Sequence, residues 1–126
     1  MTQYWVVGAM YGGHEDQTPR FIRHGFWTLG WTEHSTEQDA PDQVRLRDQI
    51  QAGDRIAIKR MLGQGATEIR ITALGIVTET DPQDKRIYVR WAIDDINRIV
   101  ESRGCFKSIH GPFFEDDPWV REVFRL

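Results

Sequence analysis

The stretch from residue 54 to 93 constrains the fold most. Arg55-Ile56-Ala57-Ile58-Lys59-Arg60 alternates between two faces. Residues 68–80 form a long β-prone run with Ile69, Ile71, Ala73 and Gly75 on one parity, and Ile87, Val89 and Trp91 keep step through 86–93. Between these runs lie Gly63-Gln64-Gly65 and Asp81-Pro82-Gln83-Asp84, which are turn-forming. Strands joined by such short connections pair with their neighbours, so an antiparallel sheet is expected at the centre of the chain.

The flanks add strands and short helices. Tyr4-Trp5-Val6-Val7-Gly8-Ala9-Met10 is an apolar run of strand length, broken by Tyr11-Gly12-Gly13. Thr18 as N-cap, Pro19 at the first helical position and Gly25 as stop predict a short helix over 19–24. Residues 26–31 are aromatic but too punctuated by glycine for a helix or a long strand. Residues 32–42 read as a polar surface loop. The spacing of Val44, Leu46 and Ile50 predicts a helix over 42–51, ended by Gly53. A turn of helix is expected within 94–101, an extended segment over 108–110 and a terminal helix over 118–126 with Pro118 at its start. The order predicts one α+β domain over residues 1–126, built on a curved or barrel-like, mainly antiparallel sheet with short peripheral helices.

Composition narrows the function. The 126 residues are 40% apolar and 28% charged, as expected of a soluble globular chain. The single Cys105 excludes an internal disulfide and a cysteine-based zinc site. No apolar run approaches the ~20 residues of a membrane span, and Met1-Thr2-Gln3-Tyr4-Trp5 lacks the basic and apolar regions of a signal peptide. A cytoplasmic location is therefore expected. Sixteen Lys and Arg against nineteen Asp and Glu give a net charge of −3, which argues against a sequence-blind coat on DNA. A small local site remains open, because Arg45, Arg47, Arg55, Lys59 and Arg60 outnumber Asp48 and Asp54 between residues 43 and 60.

Catalytic and metal signatures are sparse. His14, His24, His34 and His110 contain no i, i+4 pair. His14-Glu15-Asp16 is a compact set of hard ligands, but such a cluster is more often a solvated loop than a metal site, and neither metal nor other cofactor is expected. Cys105 sits in no nucleophile motif, Ser108 and His110 share a strand face without an orienting carboxylate, and phosphate-loop fingerprints are absent. The aromatics carry more signal. Trp27 and Trp31 lie in the glycine-punctuated stretch, either as core plugs or as flat platforms on which a base stacks.

The ordered series of segments resembles EVE-type domains of the PUA-like superfamily. It runs from the Tyr4-to-Ala9 opening through His14-Glu15-Asp16-Gln17-Thr18, Gly25-Phe26-Trp27-Thr28-Leu29-Gly30-Trp31, Gly53-Asp54-Arg55-Ile56-Ala57-Ile58-Lys59 and Leu74-Gly75-Ile76-Val77-Thr78. Ser108-Ile109-His110 and residues 119–124 close it. The likeness is greatest to EVE domains attached to modification-dependent restriction ATPases of the McrB kind. Tyr88-Val89-Arg90-Trp91 is also similar to a strand of YTH domains, with Trp27 where their methyl-base cage has a Trp.

The resemblance implies a barrel-like sheet and a non-catalytic module that reads a modified base, a methylated cytosine or adenine, flipped into an aromatic pocket. Trp27 and Trp31 would line that pocket, with Met10, Tyr11 and Gly12 after the first strand and Lys59 at the end of another. Arg60, Arg45 and Arg47 would meet the nucleic-acid backbone. The implied partner is nucleic acid carrying a modified base, DNA in preference to RNA, with any motor or nuclease on a separate protein. Gly8-Ala9-Met10-Tyr11 departs from the Lys-Ser-Glu-Pro-like segment of stand-alone EVE proteins, so their pocket residues do not transfer. Two other readings stand beside this one. One is a hydrolase of modified nucleosides like ASCH relatives, using Lys59 with Glu15, Asp16 or Glu79. The other is a small-molecule or protein-interaction module.

Overall fold

The computed structural model describes residues 1–30 and 40–125. Its strands are β1 (Tyr4–Gly8), β2 (Met10–Tyr11), β3 (Glu15–Asp16), β4 (Phe26–Trp27), β5 (Arg55–Met61), β6 (Glu68–Asp81), β7 (Arg86–Ile93), β8 (Arg98–Glu101) and β9 (Ile109–Phe113). Its helices are α1 (Thr18–His24), α2 (Ala40–Arg47) and α3 (Pro118–Phe124). The expected strand–turn–strand series is β5, β6 and β7, antiparallel throughout.

The sheet is mixed rather than purely antiparallel. Among the described residues its order is β4-β7-β6-β5-β1-β9, with β8 also paired to β6, and β1 runs parallel to β5 with Gly8 opposite Lys59. The ladder is open, with β4 and β9 at its ends. The architecture is thus α+β, as expected, around a mixed seven-stranded sheet. Parallel pairing requires a long crossover, which α1, β4 and α2 occupy.

Both faces of β1 are covered. Trp5 and Val7 join one apolar core with Phe21, Trp27, Ile56 and Ile58. Tyr4 and Val6 face a second core with Ile69, Ile71, Val100 and the α3 residues Trp119, Val120 and Val123. Strand β6 serves both cores, Ile71 in one and Ala73 in the other, and bends at register shifts between Leu74 and Gly75 and between Val77 and Glu79. Such irregularities curve a strand. At Gly75 the curved backbones meet so closely that a Cβ would lie 2.4 Å from Val89 Cγ1 and 2.9 Å from Trp91 Cε3.

Several local expectations change. Residues 94–101 hold no helix, because Arg98–Glu101 pairs with Glu68–Ile71 and only Val100 of that strand is buried. Trp27 lies in a regular element after all, paired with Ile87. The N-cap of α1 is Gln17, not Thr18. Asp16 Oδ1 instead accepts the Thr18 amide at 2.9 Å, and Gly25 ends the helix at φ 71°. Helix α2 begins within the expected 32–42 loop, at Ala40, and the remainder of that loop lies outside the described residues.

Candidate functional site

A cleft of about 580 Å³ opens beside the carboxyl end of β5. Its size falls in the range of small-ligand sites. Lys59 and Arg60 enter from β5, Arg70 and Thr72 from β6, and Met10 from β2. Asp16, Pro19 and Ile22 form the wall from β3 and α1, and the β7–β8 turn contributes Asp94, Asp95, Ile96 and Asn97. The turn is held against β6 by the Ile96 amide, which donates to Thr72 O at 3.1 Å.

Lys59 is the unusual member. It is 6% exposed. Among the described residues its ammonium donates only to the Met61 thioether, Nζ to Sδ 3.5 Å, and sulfur is a weak acceptor. Burial lowers its pKa from 10.5 to about 8. Arg70 adds a second unmet donor, since its Nε is buried without a hydrogen-bond partner. Arg60, by contrast, pairs with Asp16 across the rim, Nη1 to Oδ2 3.3 Å. Three cations and three carboxylates therefore share the cleft, with Met10, Pro19, Ile22 and Ile96 as its apolar surface.

A second cavity of about 330 Å³ shares Ala9, Met10 and Lys59 with the cleft. Gly8, Gly13, Met61, Phe106, Lys107 and Ser108 complete it. Behind it, Cys105 and His110 both feel the Lys59 charge. Burial pushes the Cys105 thiol up to about 11. Burial likewise pulls His110 down to about 4, so its ring is neutral at pH 7. The neutral ring accepts the Lys107 amide at Nε2 (2.9 Å), which leaves Nδ1–H to donate to Val6 O (3.1 Å).

The residues singled out from sequence divide sharply. Met10, Lys59 and Arg60 come together at the cleft. Trp27 does not line it. The ring is 0% exposed, and its Nε1 donates to Gly8 O at 2.9 Å. It is a core residue that fixes the end of β1 beneath the site rather than an open stacking platform. Tyr11 packs edge-on against Phe21, donates to Thr28 O at 3.1 Å and fills the space beside Gly30. Gly12 makes the β2–β3 turn at φ 61°. On α2, Arg45 is exposed and pairs with Asp42 at 3.4 Å. Arg47 is 3% exposed and tied to Asp48 at 2.9 Å, so its guanidinium is no surface contact for phosphate. Trp31 lies outside the described residues. Of the carboxylates weighed as partners for Lys59, only Asp16 lines the cleft.

Arg70, Asp94, Asp95 and Asn97 were not anticipated. The one sequence signal for the turn residues is the polar run Asp94-Asp95 that closes a strand pattern. No group of three or more His, Cys, Asp or Glu suited to a metal occurs among the described residues, His14-Glu15-Asp16 included. No helix among them is long and apolar enough to cross a membrane.

No family model, curated protein or solved structure matches the chain.

Proposed function

We propose that the chain is a non-catalytic nucleic-acid-binding module that takes a single base, extruded from its stack, into the Lys59 cleft. The observation that carries this reading is a buried lysine whose ammonium has no oxygen partner among the described residues, in a cleft where three cations, Lys59 included, meet three carboxylates. Such a lining suits a flat, neutral, polar group. Carboxylates of Asp94 and Asp95 accept from exocyclic amines, while Lys59 and Arg70 donate to ring nitrogens or carbonyl oxygens. Extruding a base costs a few kcal/mol, which edge hydrogen bonds and burial offset. A methyl group seated against Met10, Ile22 or Ile96 adds about 0.8 kcal/mol, roughly a fourfold preference. Modification is therefore read modestly by this module alone, in keeping with the EVE-like series of segments and with a motor or nuclease supplied by another protein.

The test is fluorescence anisotropy with end-labelled oligonucleotides bearing cytosine, 5-methylcytosine, 5-hydroxymethylcytosine, adenine or N6-methyladenine, as DNA and RNA. Binding that favours one modified base, and falls at least tenfold in Lys59→Met, supports the reading. Equal binding by Lys59→Met removes the cleft from it.

One observation favours a second reading. A lysine with pKa about 8 facing Asp16 across a cleft has the groups of an acid–base pair. A hydrolase of modified nucleosides would turn over N-acylated nucleosides in a Lys59-dependent way. Absence of product from folded protein at high enzyme concentration rejects it.

A further inference from the structure

Of the three lysines, Lys59, Lys85 and Lys107, the fold takes only Lys59 out of water. It is 6% exposed, while the other two are exposed. Its nitrogen meets the Met61 thioether and, among the described residues, no oxygen. A carboxylate partner would hold the proton on the amine, and a thioether does not. With the pKa lowered by burial to about 8, roughly a tenth of the amine is neutral at pH 7, against roughly one part in three thousand for a lysine at 10.5. A neutral amine is a nucleophile, and desolvation in a pocket is one way lysine becomes one.

The surroundings suit attack on a carbonyl group. Lys59 lines both the cleft and the smaller cavity beside it. A Cβ on Gly8 would stand 3.7 Å from Nζ, so the glycine leaves that side of the amine uncovered. Arg70 adjoins Ile71, the residue opposite Lys59 in the β5–β6 ladder, and lines the same cleft. Its buried Nε has no acceptor and can donate to the oxygen of an attacked carbonyl. Asp16 adds a carboxylate for proton transfer.

We propose that Lys59 is a nucleophilic site that captures an aldehyde-bearing ligand reversibly as an imine. The nitrogen lone pair forms the N–C bond, and the carbonyl π pair moves to oxygen, which takes up a proton as the nitrogen loses one. The hydroxyl then leaves as water, carrying the second nitrogen proton, and the nitrogen lone pair closes the C=N bond. The step needs no oxidant or reductant. A neutral imine also relieves the burial of an ammonium. The ligand's identity rests on the base-binding reading, under which it is a pyrimidine whose methyl group has been oxidised to formyl, such as 5-formylcytosine. The nucleophile itself does not depend on that reading.

The experiment labels the full chain at pH 7 with benzaldehyde and, separately, with 5-formyl-2′-deoxycytidine. Cyanoborohydride fixes each imine, and peptide mass mapping locates it, with Lys85 and Lys107 as internal references. In the folded chain Lys59 is expected to be labelled at least tenfold faster than either, and in urea at the same rate as both. If neither aldehyde prefers Lys59 in the folded chain, the proposal is overturned. If benzaldehyde prefers it and the formyl nucleoside does not, the nucleophile stands and the base reading falls. Preference by the nucleoside supports both.

Discussion

A lysine that is 6% exposed and, among the described residues, donates only to a thioether carries a charge the fold must desolvate. Its folded pKa of about 8 lies below the ordinary 10.5, so between those values the unfolded chain binds the extra proton and stability rises with pH. Below pH 8 the full penalty is present, about 3 kcal/mol at 1.36 kcal/mol per pH unit. Lys59→Met should therefore stabilise the protein at pH 7, with the gain shrinking toward pH 10.5 in urea denaturation, while ligand binding is lost. A variant less stable than the wild type at pH 7 would contradict this. Trp27 behaves oppositely. Trp27→Ala should cost about 3–5 kcal/mol, because it empties a closed core position. Trp27→Phe keeps most of the volume but removes the bond to Gly8, for about 1 kcal/mol. Both are read by the same denaturation. The sequence left Trp27 open between core and platform because glycines on both sides hide a two-residue strand from any periodicity.

Elements with strong local chemistry were legible and those defined by distant pairing were not. Pro19 and Gly25 bound α1 within one residue, and Ile87, Val89 and Trp91 mark β7 to its ends. Strand β8 shows one buried residue, too few for a pattern, and its existence depends on β6. The parallel β1–β5 pairing joins segments about fifty residues apart, which no local signal records. The site follows the same rule. Met10, Lys59 and Arg60 stand at the ends of readable strands, whereas Arg70 and the 94–97 turn reach the cleft only through the curvature of β6. Gly75→Ala should relax that curvature at a cost of roughly 1–3 kcal/mol from overpacking against Val89 and Trp91. Denaturation measures the cost, and ligand affinity should fall with it, because the turn is carried on β7. At α3, Asp117 Oδ1 accepts the Trp119 amide at 3.0 Å and also meets the Arg103 guanidinium. Asp117→Ala should lower stability by about 0.5–2 kcal/mol through the lost cap and leave binding untouched.

At the scale of the whole molecule, a net charge of −3 leaves little attraction for a long stretch of backbone. Binding by one base and one phosphate predicts a shallow salt dependence. The slope of log K against log salt should be on the order of −1 on DNA, from one neutralised phosphate at about 0.9. A slope near −6 would mean a broad basic footprint, contrary to binding through a single base. The central claim is that ligand enters beside the Lys59 ammonium, with Cys105 and His110 behind it and Asp16 across the cleft. The most direct measurement follows the Lys59 Cε resonance with pH, in the free chain and when saturated with the tightest oligonucleotide of the base panel. The expected midpoint is about 8 in the free chain, displaced upward by at least one unit when the ligand is bound. A Lys59 resonance whose position and midpoint no oligonucleotide changes would contradict the account.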